Sequence, residues 1–354
     1  MWLFRLRAAW SSPFVRWQGP IADLNSLDLA ERVTRRAFND RGVEWPITEL
    51  VLGMTIPQRE SFYGAPTLAA RLVVVTDRTS NGPHLVYPRG SGPGGTVDSE
   101  NWVLDNFGLD PNTGEGMLPT AERVAAEAGF SKQELDELAA VRYQQYGDSL
   151  ADDRAFQRKW MVPIEAGSAR RPQLIEDDQG IRPTTLAELE ALKPVTPDGV
   201  VSFGTQTHPA DGTAGFVLTS PAVAGERGVS GPLARIISTG FARVGRGTMP
   251  KAPVPAAGAA LEAAGLGYGD VHVIKTHNPF AVNDLWFGRE AGVDPEAINP
   301  YGCSLVYGHP QGPTGARAII ELMHTLEERG GGIGLFTGCA AGDTGAAVVL
   351  EVSD

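Results

Sequence analysis

The carboxyl end of the chain carries the pattern that most restricts the possible folds. Residues 314–329, TGARAIIELMHTLEER, place Ile319, Leu322, Met323 and Leu326 on one face of a helix. Two apolar segments, GIGLFTG and AAVVLEV, follow on either side of the turn CAAGDTG. Because apolar segments around a Gly-containing turn are typical of paired strands, the sequence predicts a helix followed by a closing β-hairpin.

A similar alternation of helices and strands occurs in both parts of the chain. The first part predicts a helix over 27–39 and strands over 49–54 and 72–76. From Val229 onward the predicted elements are a strand near 234–244, a helix over 256–264, a strand over 271–277 and a helix near 281–290. The alternation predicts an α/β fold.

The middle of the chain has a different composition and a less regular predicted structure. Residues 81–116 are rich in Gly, Pro, Asn and Asp and predict loop. Two helices follow, one over 120–127 and one that Ser131 opens with Glu134 three residues later, the pattern of a capping box. A long irregular stretch then reaches Pro194, and residues 199–220 predict either two strands or a strand and a helix. We interpret this insertion as a lobe that covers a site.

Composition excludes several classes of protein. With 42 acidic and 30 basic side chains the net charge is −12, which disfavours a general binder of nucleic acid. No apolar run is long enough to span a membrane, and MWLFRLRAAW is too short and too rich in Arg for a signal-peptide core. Two cysteines, Cys303 and Cys339, are too few for a disulfide framework or a structural zinc site. We expect a cytoplasmic protein that binds no metal.

The junction LAARLVVVTDRTS, residues 68–80, lacks an expected turn. Residues 66–71 predict a helix because Pro66 suits a first helical position, and the strand over 72–76 follows at once. No Gly, Asn, Asp or Pro separates the two, although short connections between a helix and a strand normally contain one. The junction therefore indicates that a segment is absent at this point of the sequence.

Three short stretches contain residue types that could do chemistry. His309 lies in GHPQGPTGAR just before a helix, whose N-terminus offers free N–H groups to an anion. Cys339 lies in the turn between the last two strands, and His277 and Asn278 follow a strand, where ligand sites of α/β folds are common. Taken singly, a loop histidine is more often structural, and such a cysteine is more often buried and inert.

Together these stretches resemble a known family. THNPFAVND, NPYGCSLVYGHPQGPTGAR and GLFTGCAAGDTGAAVVLEV, in this order and spacing, resemble the C-terminal half of the thiolases, which transfer acyl groups between coenzyme A thioesters. The resemblance extends through SSPFVRWQGP, GEGMLPTAERVA and IRPTTLAELEALKPV to nearly the whole chain. It implies two similar halves in a layered αβαβα arrangement, a first domain over 1–224 with a loop domain at about 81–197, and a second domain over 225–354.

The resemblance also implies roles for individual residues. His309 would activate a nucleophilic cysteine and hold the thioester oxygen, and Cys339 would move the proton at the α-carbon. His277 would fix a water in this oxyanion site beside Asn278. The N–H of Ala341 would help line a second oxyanion hole, with Gly342 as a support. Thr207 and His208 would bind substrate near the pantetheine arm of coenzyme A, which is a substrate rather than a bound cofactor; a solvent-facing loop is the alternative for His208. These positions are His277, Asn278, His309, Cys339, Ala341, Gly342, Thr207 and His208.

The nucleophile of the family has no counterpart here. In thiolases it begins a buried helix between segments that resemble residues 66–72 and 73–76, whereas this chain has no cysteine before Cys303. A deletion of a few dozen residues, in the protein or only in the gene record, would explain both this absence and the abrupt junction. We expect a gap in the amino-terminal sheet beside 72–76, exposed apolar faces and poor folding of that half. Cys303 could replace the nucleophile only from a different loop, and a buried spacer is the alternative.

Two functions remain open from the sequence. The first is a thiolase-type acyltransferase of degradative or related type, a homodimer or tetramer impaired by the loss of its nucleophile. The second is a non-catalytic thiolase-like subunit that binds acyl-CoA or a partner. Neither reading predicts the acyl chain length.

Overall fold

The structure is a computed structural model that describes residues 2–42, 47, 49–56, 72–88, 96–110, 113–168, 170–226, 228 and 231–353. The predicted helix over 66–71 lies outside the described residues. The strands are β1 (Leu3–Ser11), β2 (Val15–Arg16), β3 (Leu50–Gly53), β4 (Leu72–Arg78), β5 (His84–Pro88), β6 (Val97–Asn101), β7 (Ile164–Ser168), β8 (Arg171–Ile175), β9 (Ala210–Thr219), β10 (Leu233–Arg243), β11 (Val273–Thr276), β12 (Gly332–Ala340) and β13 (Thr344–Ser353). The helices are α1 (Ser26–Arg41), α2 (Leu104–Gly108), α3 (Met117–Ala128), α4 (Lys132–Asp148), α5 (Ala151–Arg158), α6 (Leu186–Glu190), α7 (Pro221–Glu226), α8 (Pro253–Ala264), α9 (Ala281–Ala291), α10 (Ser304–Tyr307) and α11 (Gly312–Glu328).

The central sheet repeats one topology twice. Its strand order is β11-β12-β13-β10-β1-β9-β4-β3, with β2 paired to β9. In the amino-terminal half β3 runs parallel to β4, β4 antiparallel to β9, and β9 antiparallel to β1. The carboxyl-terminal half repeats this pattern: β11 runs parallel to β12, β12 antiparallel to β13, and β13 antiparallel to β10. The two halves meet where β1 pairs antiparallel with β10.

Single side chains follow this repeat. Thr76 of β4 donates its hydroxyl to the carbonyl of Ser26, the first residue of α1, at 2.9 Å. Thr337 of β12 makes the same bond to Pro253, the first residue of α8, at 3.0 Å. The prediction of two similar α/β halves is therefore confirmed by topology and by this detail.

The layers follow from which faces of the helices are apolar. α1 packs Leu29, Ala30 and Val33 on the amino-terminal strands, and α8 packs its alanines on β10 and β13. α11 contacts strands of both halves and is buried along most of its length, so it lies between them. Its predicted apolar face is correct, and the closing hairpin is confirmed as β12 and β13.

The two halves differ in the connection between their parallel strands. In the carboxyl-terminal half residues 277–331 connect β11 to β12 and include α9, α10 and α11, whereas residues 54–71 alone connect β3 to β4. Val51 on β3 is 52% exposed, while β11 is buried throughout. The amino-terminal half is thus the one with the shorter crossover and the more exposed strand.

The expected gap beside residues 72–76 is not present. β4 pairs directly with β9 on one side and with β3 on the other, from Leu50 opposite Leu72 to Gly53 opposite Val75. The expectation of a missing central strand was therefore wrong, because four strands suffice to complete the sheet of either half. The crossover, not the strand order, distinguishes the halves.

The lobe between β4 and β9 contains more regular structure than the sequence predicted. β5 pairs with β6 and β7 with β8, as two separate hairpins, and α2 and α6 are short helices. The segment 199–220 contains the single strand β9 rather than two elements, because Gly212 and Gly215 lie within it and admit Phe14 and Trp10 against the backbone. The capping box of Ser131 and Glu134 is confirmed at the start of α4.

A buried ion pair holds this lobe against α11. Arg317 donates to both carboxylate oxygens of Asp178, at 2.6 and 2.8 Å, and to Glu321 at 2.9 Å. Its guanidinium also lies 3.6 Å from the centre of the Tyr307 ring. Asp178 accepts a further bond from the backbone of Phe14 at 2.7 Å. Because all these groups are shielded from water, the lobe and the central helix are fixed to each other.

A second buried carboxylate joins the amino-terminal sheet to the start of α11. Asp77, at the end of β4, accepts bonds from the N–H groups of Thr55, Ile56 and Gly312, at 2.7, 2.8 and 2.9 Å. The Thr55 hydroxyl donates a fourth bond at 2.9 Å. Since the first N–H groups of a helix have no partner inside the helix, Asp77 satisfies one of them from another element.

Replacing Asp77 by alanine should destabilise the protein strongly. One buried N–H group, two part-buried N–H groups and a hydroxyl would lose their acceptor, and we expect a loss of about 3 kcal/mol in the free energy of unfolding. Urea denaturation of D77A beside the wild type measures it, with the exposed Asp198 replaced in D198A as the control. Equal stability of D77A and D198A would show that Asp77 does not anchor α11.

Candidate active site

His309 lies in a tight loop that ends at α11. Gly308 before it has φ of +91°, and a side chain there would meet the His208 ring at 2.9 Å, so the position requires glycine. The N–H of His309 donates to the carbonyl of His208 at 2.9 Å, which joins this loop to the approach to β9. In the ring, Nδ1 lies 2.7 Å from the hydroxyl of Thr314 in the first turn of α11. The ring is therefore fixed by a neighbouring loop and by the helix that follows it.

His277 comes directly after β11 and stacks on His309. The two ring centres are 4.3 Å apart with 30° between the planes. The N–H of His277 donates to Thr337 of β12 at 2.9 Å, and its Nδ1 lies 2.9 Å from the Ser304 hydroxyl. Since a hydroxyl engages Nδ1 of each ring, Nε2 of each is the nitrogen left for a ligand.

Both rings are neutral at physiological pH. Burial lowers the pKa of His309 to about 4, and burial and the neighbouring His309 hold the pKa of His277 well below its usual range. A neutral imidazole with its proton on Nε2 is a hydrogen-bond donor that carries no charge. Such a pair suits the stabilisation of a developing oxyanion.

Cys339 is the next-to-last residue of β12 and not part of the turn that the sequence predicted, because its backbone still pairs with Gly345 of β13. A side chain at its neighbour Gly338 would come within 2.9 Å of the His277 Cβ, so glycine lets β12 approach the ring. The Cys339 thiol is half-buried and accepts a bond from the Asn283 amide, with 3.4 Å between Nδ2 and Sγ. Burial raises the pKa of this thiol to about 12, against the opposing effect of Asn283. The thiol thus lies at the end of β12, one residue beyond the glycine that packs on His277.

Asn278 belongs to a buried polar network behind the histidines. Its amide donates to Asp284 at 2.5 Å, and Asp284 also accepts from Arg142 at 2.9 and 3.1 Å. Thr276 and Asn299 complete the network, at 2.5 and 2.9 Å from the same carboxylate. The network holds the chain after β11 rigidly, because each donor finds an acceptor without water.

The remaining predicted residues lie around this centre. Ala341 and Gly342 are in the turn after β12, and the Gly342 N–H already donates to Asp110 at 2.9 Å. The Thr207 hydroxyl donates to the Ser304 carbonyl at 2.5 Å. His208 is half-buried, and among the described residues its Nε2 has no partner. Gly342 therefore offers its N–H to an intramolecular carboxylate rather than to a ligand.

Cys303 lies at the start of α10, beside Asn278. Its side chain is fully buried, 3.9 Å from the Asn278 amide, and burial raises the pKa of its thiol to about 11. A buried thiol that stays protonated is a poor nucleophile. The arrangement agrees with the spacer interpretation of this cysteine.

Sequence reasoning missed the residues that orient the predicted ones. Ser304 and Thr314 hold the histidine rings, Asn283 contacts the thiol, and Asp284 organises the network. The only sequence signal was their position within the quoted motifs. In the part of the chain that the structure describes, no cluster of three His, Cys, Asp or Glu side chains could hold a metal ion.

Known proteins share this fold and these sequence segments. Residues 99–222 match the family profile for the thiolase N-terminal domain, and residues 230–352 match the profile for the thiolase C-terminal domain. The acetyl-CoA acetyltransferase of Escherichia coli strain K12 is 34% identical over 67% of this chain and 60% of its own length. A β-ketoadipyl-CoA thiolase of Pseudomonas aeruginosa is 34% identical over 70% of this chain and 61% of its own.

The structural similarity covers more of the chain. The crystal structure of human mitochondrial 3-ketoacyl-CoA thiolase has a TM-score of 0.89 and 25% identity, over 99% of this chain and 98% of that one. Two repeated α/β halves joined in one sheet, as in this chain, place it in the thiolase fold class. The chain belongs to the thiolase family. It spans about three fifths of the length of the curated relatives it matches.

The two thiols should differ in reactivity. At neutral pH we expect both to be alkylated more slowly than a free thiol, because burial raises both pKa values, and Cys339 to react before the fully buried Cys303. Peptide mass mapping after timed exposure to iodoacetamide measures the order, and the same protein in urea, where both thiols are accessible, is the control. If Cys303 reacts faster than the free thiol, the spacer interpretation is wrong.

Acidification should reveal the buried state of His309. Its pKa lies at about 4 in the folded protein against 6.5 for an ordinary histidine, so below pH 6.5 the unfolded chain binds a proton that the folded one does not. This contribution to stability is therefore present above about pH 6.5 and declines towards about pH 4. The excess unfolding free energy of wild type over H309N should decrease over that range in urea titrations. A constant difference would contradict the assignment.

Proposed function

We propose that this chain is a thiolase-type acyltransferase that acts on coenzyme A thioesters. The observation that carries the proposal is the stack of His277 on His309, with Gly338, the residue before Cys339, packed against His277. The human mitochondrial thiolase with a TM-score of 0.88 to this chain was crystallised with coenzyme A, which supports coenzyme A as the substrate carrier.

The chain's own residues support one proton-transfer step. In its thiolate form Cys339 removes a proton from the α-carbon of the thioester, so that the C–H bond breaks and an S–H bond forms. The electron pair moves to the thioester oxygen, which accepts a bond from Nε2–H of His309. His277, neutral and stacked on His309, holds a water at the same oxygen. The product of this step is an enolate bound in the site.

The acyl-transfer step lacks the group that the family uses. The two cysteines of the chain are the buried Cys303 and the acid/base Cys339, so neither offers the nucleophile that takes the acyl group. Loss of a covalent nucleophile commonly lowers turnover by at least about a thousandfold. We therefore expect proton exchange at the α-carbon to survive and acyl transfer to be strongly impaired. The non-catalytic subunit that binds acyl-CoA is the alternative.

Deuterium exchange separates these functions. We expect the chain to incorporate solvent deuterium into the acetyl group of acetyl-CoA, measured by mass spectrometry, and to thiolyse acetoacetyl-CoA at least about a thousandfold more slowly than the Escherichia coli relative. Exchange should disappear in C339A and in H309A. It should persist in H84A, in which an exposed histidine on β5 is removed.

The outcomes discriminate between the functions. Binding of coenzyme A without exchange above the buffer rate would favour the non-catalytic subunit. If the chain neither bound coenzyme A nor exchanged the proton, the proposal would be refuted. Full thiolysis would show that another group accepts the acyl chain.

Three further expectations belong to the same proposal. A division into domains over 1–224 and 225–354 is supported by the repeated topology, whose halves meet between β1 and β10. A homodimer or tetramer is an expectation from the family resemblance, and its test is light scattering. A cytoplasmic location is supported by two cysteines that are both free thiols. Among the described helices, none is long and apolar enough to cross a membrane.

A further inference from the structure

Asn283 is the polar group in contact with the Cys339 thiol. It lies in the first turn of α9, and its side chain is almost fully buried. Its Nδ2 donates to Sγ of Cys339 over 3.4 Å, while its Oδ1 has no partner among the described residues. An unpaired carbonyl oxygen in a buried amide is costly, so its retention beside a thiol calls for an explanation.

The position of Asn283 is fixed from both sides. Its own N–H donates to Phe280 at 2.9 Å, which starts the helix. The next residue, Asp284, is held by Arg142, Thr276 and other donors of the buried network. Because the network fixes the first turn of α9 against β11, the Asn283 amide cannot move away from β12. Only rotation about its own side-chain bonds is left.

A side-chain amide suits a thiol that gains and loses a proton. A protonated thiol needs an acceptor for its S–H, and a thiolate needs a donor. Asn283 has both, Oδ1 and Nδ2, and rotation of the amide exchanges them at the sulfur. A carboxylate could accept a hydrogen bond from the protonated thiol but could not donate one to the thiolate. An aliphatic side chain could do neither.

We propose that Asn283 is a positioning residue for Cys339, whose amide donates to the thiolate and accepts from the thiol as the proton passes to and from substrate. The proton transfer to substrate rests on the proposed function. The effect of Asn283 on the acidity of the thiol does not, because the contact is present in the free protein. It predicts a directional effect on thiol acidity. Removing the donor makes the thiolate harder to form.

The groups around the thiol do not replace Asn283. Asp284 on α9 is the carboxylate that faces it, and it opposes ionisation although it is paired with Arg142. Directly after β11, the neutral His277 packs on Gly338. On the adjacent turn, residues 249–251, Lys251 is paired with Glu127 and lies over the Trp286 ring. The change expected in a variant of Asn283 is therefore attributable to the amide.

The test measures the alkylation rate of Cys339 in proteins that carry C303S, so that one thiol is observed. N283L, which has nearly the same volume and no hydrogen-bonding group, should be alkylated about tenfold more slowly than its parent at a fixed pH near 8. That is the effect of a rise of about one unit in the pKa of the thiol. The alkylation of Cys339 should be slower still in N283D, because the variant adds a negative charge beside the thiol. In N283Q the alkylation rate should return part of the way to that of the parent. N106L, at an exposed asparagine, is the matched control and should equal the parent.

Thermal unfolding of each variant accompanies the rates. Parent-like alkylation of folded N283L or N283D would overturn the proposal, and so would an N283Q as slow as N283L. If N283L does not fold, N283D and N283Q decide, since both retain polar groups of similar size. Exchange of acetyl-CoA in the same variants separates the two claims. If the Asn283 variants are alkylated slowly and the parent shows no exchange, the role of Asn283 is supported and the proposed function is refuted. If the parent shows exchange and the variants are alkylated at the parent rate, the proposed function is supported and the role of Asn283 is refuted.

Discussion

The buried charge of Arg317 is the interaction on which the arrangement of the layers depends. A guanidinium without partners inside a protein costs several kcal/mol, so α11 must keep Asp178 and Glu321 within reach. Asp178 belongs to the lobe, and the Tyr307 ring under the guanidinium belongs to the loop that leads to His309. One cation thereby fixes the lobe, the central helix and the loop that contains His309 to one another.

The candidate site consists of neutral groups held by neutral partners, while the charges lie behind it. Hydroxyls of Ser304 and Thr314 hold the two rings, and an amide contacts the thiol. The carboxylates of Asp77 and Asp284 are saturated by donors from the backbone and from Arg142. A site with fixed dipoles and little net charge can stabilise a transient oxyanion without first having to reorganise.

The sequence predicted the elements whose signals are local. The face of α11, the capping box of α4 and the closing hairpin each depend on residues within one or two turns of chain, and all three are present. The hairpins of the lobe were missed because their strands are short, largely exposed and rich in polar residues or proline, so no apolar alternation marks them. β9 was misread because glycine usually signals a turn, whereas here it admits the rings of Phe14 and Trp10.

The sequence predicted only those residues of the candidate site that belong to the quoted motifs as candidate functional groups. His277 and His309 lie in quoted motifs, and the structure stacks them. The contact of Asn283 with Cys339 depends on how α9 is set against β12, fifty-six residues away in sequence, and no local pattern encodes that. Side chains that orient others are identified only once the elements are packed. For this reason the supporting groups, rather than the motif residues, escaped prediction.

The unequal crossovers of the two halves show that architecture and chemistry are separable in this fold. The amino-terminal half keeps the strand order and the threonine anchor of its partner half with a far shorter connection. The same strand order is therefore kept with connections of very different length, and the long connection is the one that contains the candidate site. A descendant of such a protein could exchange that connection, and with it its chemistry, while its sheet stayed the same.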